Sequence, residues 1–156
     1  MELVPESGLM TLMEGRQKET KSFLSSIPEA LYDHRYAPDK WTVREVLGHV
    51  CDIERAFGYR LLCAARGDEQ ELKRVDGNLY IQNGEFARLG LMEWANEFQL
   101  VRKSNLIFLQ HMPEPAWDRV ALMAGAKVTV RALGYLLVGH ERHHLRILRE
   151  NYLKTA

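Results

Sequence analysis

The sequence is short of cysteine, proline and long apolar runs, and it carries no excess of either charge. Two cysteines among 156 residues cannot supply a disulfide framework. Cys51 and Cys63 fall on what reads as one continuous helix, where a rise of about 1.5 Å per residue separates them by roughly 18 Å, too far for a bridge. Both are expected to be reduced and to pack as small apolar side chains. Apolar runs such as Leu136-Leu137-Val138 are far shorter than the roughly 18 residues a membrane-spanning helix needs. The opening Met1-Glu2-Leu3-Val4-Pro5-Glu6 has neither the basic nor the apolar stretch of an export signal, so a cytoplasmic location is expected. Lys+Arg and Asp+Glu both number 21 and are interspersed, which leaves no basic surplus for neutralising phosphates and argues against a nucleic-acid partner.

What is present is the ordinary globular mix, 46% hydrophobic and 27% charged, in a length that suits one domain over residues 1–156. Gly and Pro are scarce and apolar residues recur at three and four, so long helices should dominate. Four segments carry that period. The first covers residues 9–27 and must stop before Pro28. The second starts at Thr42, where Thr42 and Glu45 form a capping box and Trp41 stands at the position of a hydrophobic staple, and runs to Arg66 with Gly67 as its stop. The third covers residues 85–111, and the fourth runs from Thr129 nearly to the chain end. Residues 68–84 read as a loop with one short helix, and residues 113–128 as an excursion with a small hairpin about Gly125. The fold class is therefore all-α, a four-helix bundle with long connections.

Six histidines are the feature of the composition that asks for an explanation. On a helical wheel His140 and His144 share the sector of Leu133, Leu136, Leu137, Ile147 and Leu148, so both imidazoles turn toward the bundle core. Residues four apart can share one metal ion at about 2.0–2.1 Å per nitrogen. The alternative is a pair of core histidines satisfied by hydrogen bonds. A metal held by two side chains needs a third donor from a facing helix, and His49, at the border of the stripe formed by Val46, Val50, Ile53 and Phe57, is the preferred candidate over Asp52, Glu54, His34 and His111. His111 is expected to cap carbonyls at a helix end, His34 to be solvated, and His143 to lie at the surface or just behind the ligands. Asp52 could orient a ligand ring or be a surface charge. His140-Glu141-Arg142-His143-His144 also satisfies H-E-x-x-H, the zinc-protease pattern in which the Glu activates water. The downstream third ligand of that class is missing, which leaves Glu141 as either a water-activating base or a solvated surface residue.

Trp41-Thr42-Val43-Arg44-Glu45-Val46-Leu47-Gly48-His49-Val50-Cys51-Asp52-Ile53-Glu54, with Arg60 beyond it, resembles the first signature of the DinB-like bundle family. Gly139-His140-Glu141 and His143-His144-Leu145 are similar to its last. The resemblance implies an up-up-down-down four-helix bundle with a divalent metal (Zn, Ni, Fe or Mn) on His49, His140 and His144. It implies further a homodimer, and either a protein of no known turnover or a metal-dependent transferase using a low-molecular-weight thiol such as bacillithiol or mycothiol. The reading is thus a metal-dependent thiol transferase or hydrolase acting on a small molecule. Its rivals are a metal-binding stress protein without turnover and a metal-free dimerisation or binding module.

Overall fold

The computed structural model describes residues 6–68 and 70–153. In chain order these form α1 (Glu6–Ser25), α2 (Val43–Arg66), β1 (Glu71–Leu72), α3 (Gly77–Gly84), α4 (Leu91–Gln110), β2 (Val120–Met123), β3 (Ala126–Thr129) and α5 (Val130–Ile147), the last continued by a π-type turn over Leu148–Tyr152. The helix boundaries follow from local chemistry. Glu45 N–H donates to the Thr42 hydroxyl at 3.1 Å while the Glu45 carboxylate accepts from Thr42 N–H at 2.7 Å, the reciprocal box that satisfies two orphan donors. Gly67 ends α2 with φ 74°, a left-handed conformation that suits glycine. Thr129 caps α5 by accepting from Ala132 N–H.

The long helices form a ring in the order α1, α4, α2, α5, and their directions can be read from the side chains that meet. Cys51 bonds the Trp94 carbonyl, Glu54 meets Arg102, and Gly58 lies against Asn105, so α2 and α4 run parallel. Trp41 lies beside His144 and Phe57 beside His140, so α2 and α5 are antiparallel. Leu9 touches Gly134 while Arg149 covers Phe23, which makes α1 and α5 parallel. Gln110 reaches Glu14 and Gln17 reaches the Gln99 carbonyl, which makes α1 and α4 antiparallel. The bundle with a long connection is as expected, but the directions run up, down, down, up, the anticipated up-up-down-down cycle entered one helix later. Residues 70–90 carry the chain back along the bundle, so α4 starts again beside the start of α2 and parallel to it.

That return is locked by Phe86. Its ring occupies a slot between Gly48 on α2 and Gly84 on α3, where an added Cβ would come within 1.9 Å and 2.2 Å of it respectively, and Trp94 Nε1 donates to its carbonyl at 3.0 Å. Gly48→Ala should lower stability by about 1–3 kcal/mol through overpacking, more than the roughly 1 kcal/mol that alanine gains over glycine in a helix. Urea unfolding measures this, and a stabilised variant would show that Phe86 yields freely. The hairpin β2–β3 turns at Ala124 and Gly125, both with positive φ as a two-residue hairpin turn favours, and β1 adds to it in parallel.

Apolar side chains gather in two cores. One, around Leu9, Leu61, Leu109, Leu133 and Trp117, lies under the small sheet; the other, around Leu24, Leu47, Phe98, Leu145 and Tyr152, fills the opposite end. Between them sits a buried polar layer. Arg102 donates to both oxygens of Glu54 (2.7 and 2.9 Å) and to Glu141 (2.9 Å), Asn105 donates to Glu54 (3.0 Å), and the Thr20 hydroxyl donates to Glu141. Arg102 and Glu141 are wholly excluded from solvent. Forked guanidinium–carboxylate geometry makes such burial tolerable.

Candidate metal centre

Beside this polar layer, on the α2–α5 seam, three imidazoles converge. His140 and His144 are one turn apart on α5, with ring centroids 4.5 Å apart, and His49 reaches them from α2. The Nε2 atoms of His49 and His140 are 3.2 Å apart, and one nitrogen from each of the three rings lies within 4.8 Å of the others. Bonds of 2.0–2.1 Å at tetrahedral angles place donors about 3.3 Å apart, so the His49–His140 spacing already suits a shared ion, and a modest ring rotation closes the wider one. His49 Nδ1 is buried and has no hydrogen-bond partner, so the hydrogen bonds that would explain a purely structural core histidine are incomplete. The three residues could hold a metal ion.

Electrostatics favour the same use. Burial lowers the His49 pKa to about 4. Burial, then the neighbouring His144, His49 and His143, lowers that of His140 to about 3, and burial, then His49 and His143, lowers that of His144 to about 3. All three are neutral near pH 7, the form whose nitrogen lone pairs can bind a cation.

The walls come from segments the periodicity left as loops. The Trp41 ring lies 4.7 Å from that of His49 and is nearly parallel to that of His144, and its Nε1 donates to Asn78 Oδ1 at 3.2 Å. Trp41 is therefore a wall of the site as well as a residue at the start of α2. Arg60, resting on Phe57, donates to the Lys73 carbonyl at 3.0 Å and so ties down the segment that leads to Gly77, which packs against His49. Together Trp41, His49 and residues 74–78 enclose a cavity of about 540 Å³. A second of about 610 Å³, lined by Phe57, Ala132, Tyr135, Leu136 and Gly139, reaches His140 from the other side. Both have the size of small-molecule sites.

The remaining candidates are placed as follows. His111 Nδ1 meets the Ile107 carbonyl at 2.8 Å, the helix-end cap expected of it. His143 is exposed, with its ring edge-on to His144 at 5.1 Å. His34 is only half-exposed, resting against Tyr152 with a buried Nε2, so it is not the solvated residue anticipated. Asp52 pairs with Arg55 at 3.9 Å, and the unpartnered Nδ1 of His49 shows that it does not orient that ring. Glu141 is not the solvated surface residue of one reading: it is fully buried, its carboxylate held by Thr20, Arg102 and Arg16 of α1 and α4. Cys51 and Cys63 are both buried and free, and burial pushes the Cys51 thiol up, away from reactivity. Sequence reasoning missed Arg102 and Asn105. A charged residue at the same helical spacing as Phe98, Leu106 and Leu109 was the available signal.

Residues 12–148 match the DinB superfamily. Among solved structures, the chain is similar to YfiT from Bacillus subtilis, described as a probable metal-dependent hydrolase with an unusual four-helix bundle topology (TM-score 0.86, 17% identity, 99% of this chain and 90% of that one). It is also similar to a mycothiol-dependent maleylpyruvate isomerase (TM-score 0.75, 18% identity), covering 92% of this chain but 60% of the isomerase. A third likeness is to the DinB-like protein YjoA from Bacillus subtilis (TM-score 0.65, 18% identity, 95% and 91% covered). No curated protein matches the sequence at a significant level.

Proposed function

We propose that this chain, which belongs to the DinB superfamily, is a metal-dependent enzyme that uses His49, His140 and His144 to activate water or a low-molecular-weight thiol against a small molecule. The observation that carries the reading is the convergence of three neutral imidazoles from two helices with no carboxylate among them. Such a donor set suits Zn, Ni, Fe or Mn, leaves the ion's charge unneutralised and leaves room for a further ligand. When bound, the ion would supply Lewis acidity, favouring hydroxide or thiolate near neutral pH.

The chain's own residues account for the rest. Burial keeps the three rings deprotonated, Trp41 shields one side of the cluster from water, and Arg60 fixes the backbone that covers it. Both cysteines are buried, so a thiol reactant must come from outside. The descriptions of YfiT and of the isomerase support hydrolysis and thiol-dependent chemistry respectively. We place the protein in the cytoplasm as a homodimer.

Elemental analysis of untagged protein should find about one divalent metal per chain, and His144→Ala should lose nearly all of it. A wild type purified without metal that also fails to take up any of the four ions would sink the proposal. With metal in place, reaction of an electrophile that depends on added thiol separates transferase from hydrolase.

A further inference from the structure

The outer side of α5 carries a feature that the metal centre does not use. Arg142, Arg146 and Arg149 lie at i, i+4 and i+7 on one face, and Arg16 of α1 faces them across a groove of about 450 Å³ that His143 and Gly139 complete. Among the described residues, neither Arg142 and Arg146 of α5 nor Arg149 of the turn that follows has a carboxylate partner, although Arg149 covers the Phe23 ring. Arg16 gives one nitrogen to Glu19 and approaches Glu141 at 3.6 Å, yet its Nε and Nη2 are buried with no hydrogen-bond partner. In a chain of zero net charge, this groove gathers four guanidinium groups with donors left to satisfy, which is the chemistry that recognises an anion.

Gly139 is shared by this groove and by the apolar cavity that reaches His140. A Cβ there would meet nothing within 4 Å. No close helix contact requires the glycine, although it costs the helix about 1 kcal/mol relative to alanine. What its missing side chain provides is an open floor between a basic groove and an apolar pocket.

We propose that these two cavities form one binding site for a small amphipathic acid, its anionic head among Arg16, Arg142 and Arg146 and its apolar body across Gly139 against Phe57 and Leu136. That this ligand is a substrate rests on the metal-centre reading. That it binds does not.

Octanoate titrated calorimetrically into metal-free protein at low ionic strength should bind saturably at one site per chain. Acetate, which lacks the body, and 1-octanol, which lacks the charge, should bind at least tenfold more weakly. Arg142→Gln/Arg146→Gln should weaken octanoate at least tenfold and Gly139→Leu should abolish binding, both with helicity retained by circular dichroism, while Lys127→Gln on the exposed hairpin should change it less than twofold. Absence of saturable octanoate binding to the wild type, or equal binding by the double arginine variant, would overturn the site. Inorganic phosphate binding as tightly as octanoate would overturn its apolar half. Metal stoichiometry is measured separately, so failure of the groove and failure of the triad are told apart.

Discussion

Arg102→Met should lower the unfolding free energy by about 3–5 kcal/mol, the range for removing one partner from a buried ion network. Methionine fills much of the volume, so the loss is electrostatic rather than a cavity. Arg102 makes three of the charge-assisted bonds in the layer, and without it Glu54 keeps Asn105 while Glu141 keeps Thr20 and a distant Arg16. Two carboxylates then remain buried with too little positive charge. Burial already pushes the Glu54 carboxyl upward, with Arg102 and Asn105 acting against it. In the variant the Glu54 carboxyl should rise further, so the deficit should be larger at pH 8 than at pH 5, where protonation removes stranded charge. Adding Glu54→Gln and Glu141→Gln should recover a good part of the stability. Urea titrations of the three proteins at both pH values measure this, and a loss under 1 kcal/mol that does not vary with pH would show that the layer is not held by charge.

The same layer marks where the sequence stops being legible. The start and stop of α2 could be read because they depend on residues close in the chain: Thr42 and Glu45 three apart, Gly67 one past the end. His140 and His144 could be placed on the core face because helical period alone decides it. His49 was harder, since its partners lie about ninety residues away in the chain, and it entered through its position at the edge of a stripe. The burial of Glu141 was not legible because the wheel gives a direction but not the neighbour that waits there: a residue 100° from His140 meets water on an isolated helix and, in this bundle, Arg102 reaching across from α4. Helix direction was unreadable for a related reason. Residues 68–84 read as a long connection, but whether it returns along the bundle or turns back depends on Phe86 finding the slot made by Gly48 and Gly84, a contact between segments 38 residues apart.

Metal-free protein should lose stability steeply as pH falls below about 6.5, whereas metal bound to the folded chain should leave at lower pH, as the rings themselves begin to charge near 4 to 3. The three imidazoles titrate near 6.5 when exposed, but in the folded chain at about 4, 3 and 3. Above pH 6.5 they are neutral in both states and cost nothing. Below it the unfolded chain takes up protons that the folded chain refuses, so unfolding gains in proportion to the difference, and stability is lost progressively toward pH 4 to 3. The contribution of the triad is isolated by subtracting the pH profile of His140→Gln/His144→Gln, in which two of the three groups no longer titrate. The difference should be flat from pH 7 to 8 and should then favour the variant increasingly, by more than one decade in the folding equilibrium per pH unit below 6. Saturating metal adds a further increment while the rings are neutral, about 4 kcal/mol for a ligand at 1,000 times its dissociation constant. Protons compete for the same lone pairs, so the increment should shrink as pH falls and vanish once the rings are charged. Equilibrium urea curves with and without one equivalent of metal, from pH 8 to pH 4, test both halves together. A metal-free profile parallel to that of the double variant would show that the rings titrate as exposed histidines. A metal increment no larger in the wild type than in the double variant would mean that the stabilising ion is not held by these imidazoles.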